Sequence, residues 1–133
     1  MSESKGPLDG GEDPSQRLKV EVSDDKARNF IRAKLAGRLD VFTYRDLAAK
    51  LESHYENRPK VRMVIDLSAV SFVASSGWSV FIALRSRFRS VEGRLALAGM
   101  NDDLKRIYAS MKLPELIPAF TTSAEAEAAL AVS

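Results

Sequence analysis

Cysteine is absent from the 133-residue sequence, and histidine and tryptophan occur once each, at His54 and Trp78. The first absence removes disulfides, thiolate metal sites and cysteine nucleophiles, and is compatible with a reducing compartment. A lone histidine and dispersed carboxylates give no nucleophile and base held together, so the chain does not read as an enzyme. A glycine-rich phosphate loop and metal-ligand spacing are missing too, so neither cofactor nor metal is expected. No apolar run approaches the ~18 residues of a membrane span, and the opening MSESKGPLDGGEDPSQ lacks the basic and apolar regions of a signal peptide. The expectation is a cytoplasmic protein without direct membrane insertion. Charge of one sign is also lacking: 20 basic against 18 acidic residues leave +2, which creates no strong pull toward nucleic acid.

What is present is enough for one core. With 45% hydrophobic and 29% charged side chains, the length suits a single domain. Residues 1–15 combine prolines, glycines and charges with Leu8 as the one large apolar side chain after Met1, and are expected to form a disordered N-terminal tail. The domain is expected over residues 16–131. Alternation in Leu18–Val22 and Phe30–Leu35 around the turn cluster Ser23-Asp24-Asp25 predicts a hairpin. Asp40 or Thr43 can cap a helix carrying Tyr44, Leu47, Ala48, Leu51 and Tyr55 on one stripe. The near-continuous apolar run Val61–Leu67 reads as an interior strand. A short loop then leads to a helix running from Ser75-Ser76 to about Val91, with Phe81, Leu84, Phe88 and Val91 on one face.

Leu95–Ala98 returns as a strand parallel to Val61–Leu67. Asn101 caps a third helix with Leu104, Ile107, Tyr108 and Met111 inward, Ile117–Phe120 adds an edge strand, and Thr122 with Glu125 opens a last helix through a capping box. The order predicts an α/β fold, a mixed sheet of four or five strands packed with about four helices.

The informative segment is Asp66–Ser79, DLSAVSFVASSGWS, where the central strand gives way to a helix. Ser75 or Ser76 suits an N-cap there. Trp78 and Ile82 are candidates for a second apolar strip offset from the core stripe, a partner surface of the kind in which tryptophan is enriched; Trp78 closing the core edge is the alternative. Arg85 and Arg89 share a helix face that reads as solvated, without the aromatic interleaving of a nucleic-acid surface. Asp102-Asp103 complements a helix dipole, and His54 sits on the surface at a helix end.

The same segment resembles the STAS domain of anti-sigma factor antagonists and sulphate transporters, whose switch loop reads about D-L-S-x-V-x-F-x-D-S-S/T-G-L-G. Asp66, Leu67, Ser68, Val70, Phe72, Ser75, Ser76 and Gly77 match as they stand, whereas Ala74 replaces Asp and Trp78-Ser79 replaces Leu-Gly. The resemblance extends over residues 16–131 and includes the L-A-G-R-L-D run, Leu35–Asp40, and the strand Gly93–Gly99. It implies a STAS-like fold and an anti-sigma factor antagonist whose partner is a serine-kinase anti-sigma factor, with a phosphatase to reset it. Ser75 is the implied phosphorylation site, with Ser76 as second choice, and the implied partner surface is Ser75, Ser76, Gly77, Trp78 and Ile82. Ala74 and Trp78 leave open a second reading, an accessory subunit of a membrane lipid transporter that docks on its ATPase without phosphorylation.

Overall fold

The structure is a computed structural model and describes residues 17–132; the expected tail, residues 1–15, lies outside the described residues. Strands β1 (Lys19–Asp25) and β2 (Phe30–Leu39) form the hairpin, β1 antiparallel to β2. Then follow α1 (Tyr44–Tyr55), β3 (Arg62–Val73), α2 (Ser75–Ser90), β4 (Arg94–Ala98), α3 (Asp102–Ser110), a 3-10 turn (Leu113–Glu115), β5 (Ala119–Phe120) and α4 (Ser123–Ala131). The sheet order is β1-β2-β3-β4-β5, and every pair beyond the hairpin is parallel.

Two apolar layers sandwich the sheet. On one face, α1, α2 and α3 bury Leu47, Leu51, Phe81, Leu84, Phe88, Leu104 and Tyr108 against sheet residues such as Met63, Ile65 and Leu97. On the other, α4 brings Ala126 and Leu130 onto Phe30, Val64 and Ala96. Opposite neighbours in β3, Val64 and Ile65, are therefore both at 0% exposure, which is why that strand carries no alternation.

Two expectations change. Strand β3 does not stop at Leu67 but continues to Val73, replacing the expected loop. The extension is possible because β2 supplies a partner: between Lys34↔Asp66 and Ala36↔Ala69, and again before Arg38↔Phe72, β3 has one residue more than β2. Such bulges bend the strand and leave residues unpaired, which disrupts a period-two pattern. In α3, Ile107 and Met111 are 38% and 40% exposed rather than inward, leaving Leu104 and Tyr108 to hold that helix. Of the two candidates for the cap of α1, Thr43 occupies the N-cap position, although its hydroxyl makes no cap hydrogen bond. The caps at Asn101 and Thr122 form as expected, accepting from the N–H groups of Leu104 (2.8 Å) and Glu125 (3.1 Å).

Candidate functional site

The site lies at the carboxyl ends of β2 and β3, the edge of an open α/β sheet where ligands and partners are commonly received. Leu39 and Val73 are register partners, and the Ala74 N–H donates to the Leu39 carbonyl at 2.8 Å. The turn from β2 into α1 and the turn from β3 into α2 are thereby stitched together. Ser75 follows directly as the first residue of α2 and is exposed.

Serine does not cap α2, contrary to expectation. Ala74 occupies the N-cap position with extended backbone and no side-chain hydrogen bond, and the first turn contains no acid. The N–H groups of Gly77 and Trp78 reach the Ala74 carbonyl at 2.9 and 3.1 Å, while those of Ser75 and Ser76 find no acceptor among the described residues. This end of α2 is a partial positive charge with free donors. Ser75 is exposed there, whereas Ser76 Oγ is buried without a hydrogen-bond partner among the described residues, on the wall of a cleft of about 440 Å³ between α1 and α2.

Of the five residues expected to form the partner surface, Ser75 is exposed, Ile82 is 38% exposed and Ser76 is half-buried. Gly77 and Trp78 are corrections, because both are buried. A Cβ at Gly77 would stand 2.6 Å from Leu39 Cγ and 2.8 Å from Val73 Cγ1, so glycine is what lets α2 close onto the sheet. The Trp78 indole is 1% exposed and packs edge-on against Phe81, with ring centroids 5.8 Å apart. It is a core side chain and offers no exposed anchor.

The exposed apolar groups come instead from the β2–α1 turn. Val41 is 64% and Phe42 63% exposed. They are held outward by a local clamp: Asp40 Oδ1 accepts from the Phe42 N–H and Thr43 Oγ1 accepts from the Asp40 N–H, each at 3.0 Å. Near the end of β3, Phe72, the register partner of Arg38, is 38% exposed and lies 4.4 Å beneath the Arg38 guanidinium. Sequence reasoning passed over Val41 and Phe42. The available signal was an apolar pair outside any period, between a turn former and a helix cap.

Comparison with known proteins agrees with this geometry. Residues 23–126 match the STAS domain family model. An anti-sigma-B factor antagonist of Listeria monocytogenes is 30% identical over 100 residues, covering 75% of this chain and 86% of the relative. The crystal structure of an anti-sigma factor antagonist from Mycobacterium paratuberculosis superimposes with a TM-score of 0.76 at 22% identity, covering 86% of this chain and 95% of that one. The Bacillus cell fate determinant SpoIIAA in its phosphorylated form gives 0.65 at 18% identity over 84% and 98% of the two chains. A five-stranded sheet with a serine-initiated helix at its open end, matched by a family model over most of the chain's length, places this protein in the STAS domain family.

Proposed function

We propose that the protein is an anti-sigma factor antagonist that captures a serine-kinase anti-sigma factor and is released when that kinase phosphorylates Ser75. The observation that carries this reading is the exposed Ser75 at the uncapped start of α2, in a turn that the Ala74–Leu39 hydrogen bond joins to the turn bearing the exposed Val41 and Phe42. A kinase needs an accessible hydroxyl, and Ser75 meets that need while Ser76 Oγ does not. The names of the relatives in Listeria and Mycobacterium support the choice of partner class. In this mechanism a phosphate adds about −1.5 to −2 charges to the docking face. A penalty of ~3 kcal/mol from repulsion and desolvation then weakens binding more than a hundredfold. A phosphatase restores the binding form.

The test is affinity capture with wild-type, Ser75→Ala and Ser75→Asp proteins, coupled to mass spectrometry of partners and phosphosites. Wild type and Ser75→Ala are expected to retain a kinase-type anti-sigma factor, Ser75→Asp to lose it, and phosphate to appear at Ser75 alone. Unmodified Ser75 in the presence of the captured kinase and ATP, together with unchanged binding by Ser75→Asp, would overturn the reading.

A further inference from the structure

At the other end of the twelve-residue strand β3, ~36 Å from the switch end, positive charge collects. Arg32, Arg58 and Arg87 each meet a carboxylate. Arg62 and Arg94 meet none among the described residues, although they are register partners opening β3 and β4. Like charges on directly opposed positions of adjacent strands repel, the strand backbones lying only ~4.8 Å apart. The acceptors of these two guanidinium groups are main-chain oxygens: Arg62 reaches the Leu130 carbonyl at 3.5 Å and that of Arg28, and Arg94 reaches Leu130 at 3.4 Å and Val132.

These residues line a cleft of about 490 Å³ with Asn29, Lys60, Glu92 and Leu130. Lys60 is exposed, and its side chain forms no hydrogen bond or ion pair among the described residues. Among the described residues lining the cleft, three cations therefore accompany one carboxylate, Glu92, beside the roughly half negative charge at the end of α4. The walls are firmly held. The Arg62 head lies 5.6 Å over the Phe30 ring, and the N–H groups of Lys60, Arg62 and Arg94 bond across the turns to the carbonyls of Val91, Asn29 and Val61 at 2.7, 3.1 and 3.0 Å. Asn29, Lys60 and Glu92 each hold a left-handed backbone, with φ of 53°, 60° and 59°, a conformation that tends to collect at ligand clamps.

We propose that this cleft binds a small ligand carrying at least two phosphate-type negative charges, gripped by Lys60, Arg62 and Arg94. A concave site of one sign concentrates such anions, and arginine forks suit phosphate oxygens. The chemistry fits a soluble phosphorylated metabolite or a phospholipid headgroup, and two probes separate them.

Isotope-labelled full-length protein is titrated with pyrophosphate at constant ionic strength, and in parallel with phosphatidylcholine vesicles with or without phosphatidic acid. The expected result is saturable shifts confined to the amides around Asn29, Lys60, Glu92 and Arg94. Pyrophosphate alone assigns a soluble ligand, and phosphatidic acid vesicles alone assign a headgroup. Lys60→Gln removes no hydrogen bond or ion pair among the described residues and is expected to weaken binding about tenfold; Arg94→Gln, checked for folding by its thermal melt, is expected to weaken it further. No saturable binding of either probe, or binding unchanged in Lys60→Gln, overturns the proposal.

Discussion

Trp78 and Phe42 are two aromatic side chains near the same edge of the sheet, and their exposures, 1% and 63%, assign them opposite duties. Truncating Trp78 empties a packed volume against Phe81 and is expected to cost about 3–5 kcal/mol. Truncating Phe42 removes surface that already faces water, so stability should stay within about 0.5 kcal/mol. If Phe42 is an anchor for the proposed partner, Phe42→Ala should weaken binding by about tenfold or more. Urea unfolding and partner titration on the two variants check both halves of the contrast. Equal partner affinity for Phe42→Ala and wild type would remove Phe42 from the docking face. The burial of Trp78 was legible in the sequence, but only with a wider arc. At about 100° per residue, Trp78 lies ~60° from Phe81 and ~40° from Ile82, so it sits on the boundary of the buried face. Pairing it with Ile82 chose the wrong side, and Gly77, directly behind it, marks the face that meets the sheet.

Elements whose partners lie nearby in sequence were readable in outline, including the hairpin, the stripe of α1 and the caps of α3 and α4. The second half of β3 was not, because its Ser68–Val73 pairing depends on bulges against a strand some thirty residues earlier. Local pattern contains no record of that register. The same limit hid the link between hairpin and helix, where Asp24 of β1 meets Arg58 at 2.8 Å and His54 Nδ1 at 3.4 Å. Burial pushes the Asp24 carboxyl up, but its hydrogen bonds to Arg58 and His54, aided by the charges of Arg58 and Lys26, outweigh burial and hold it below the usual value. A carboxylate lowered on folding adds stability that is complete above its unfolded pKa, ~3.9, and is lost as pH falls through the folded value. Asp24→Asn should cost about 1–3 kcal/mol at neutral pH, with the difference from wild type shrinking below about pH 4. Urea midpoints for both proteins between pH 7 and pH 3 measure this. A constant difference across that range would show that Asp24 does not contribute through its charge.

For the whole molecule, the question is whether the switch acts on the fold or only on its docking face. Ser75 lies outside both apolar layers, and the start of α2 has free N–H groups, an alanine at the N-cap and no acid in its first turn. A negative charge at Ser75 therefore meets the positive end of a helix dipole, a gain of about 0.3–1 kcal/mol. Ser75→Asp should melt at or slightly above the wild-type temperature, while partner affinity falls about a hundredfold if the proposed mechanism holds. Ala74→Asp separates the two effects. The extended backbone at Ala74 suits an N-cap, so an aspartate side chain there should accept from the free first-turn donors and add about 1 kcal/mol, with the Ser75 hydroxyl unaltered. Thermal melts and partner titrations on the two variants then give a clear comparison. If binding follows helix stability, both variants change it in the same direction. If binding follows charge on the docking face, Ser75→Asp suppresses it far more than Ala74→Asp, although both proteins are at least as stable as wild type. A lowered melting temperature in Ser75→Asp would instead mean that charge at this position disrupts α2, and that release of the partner proceeds through loss of structure.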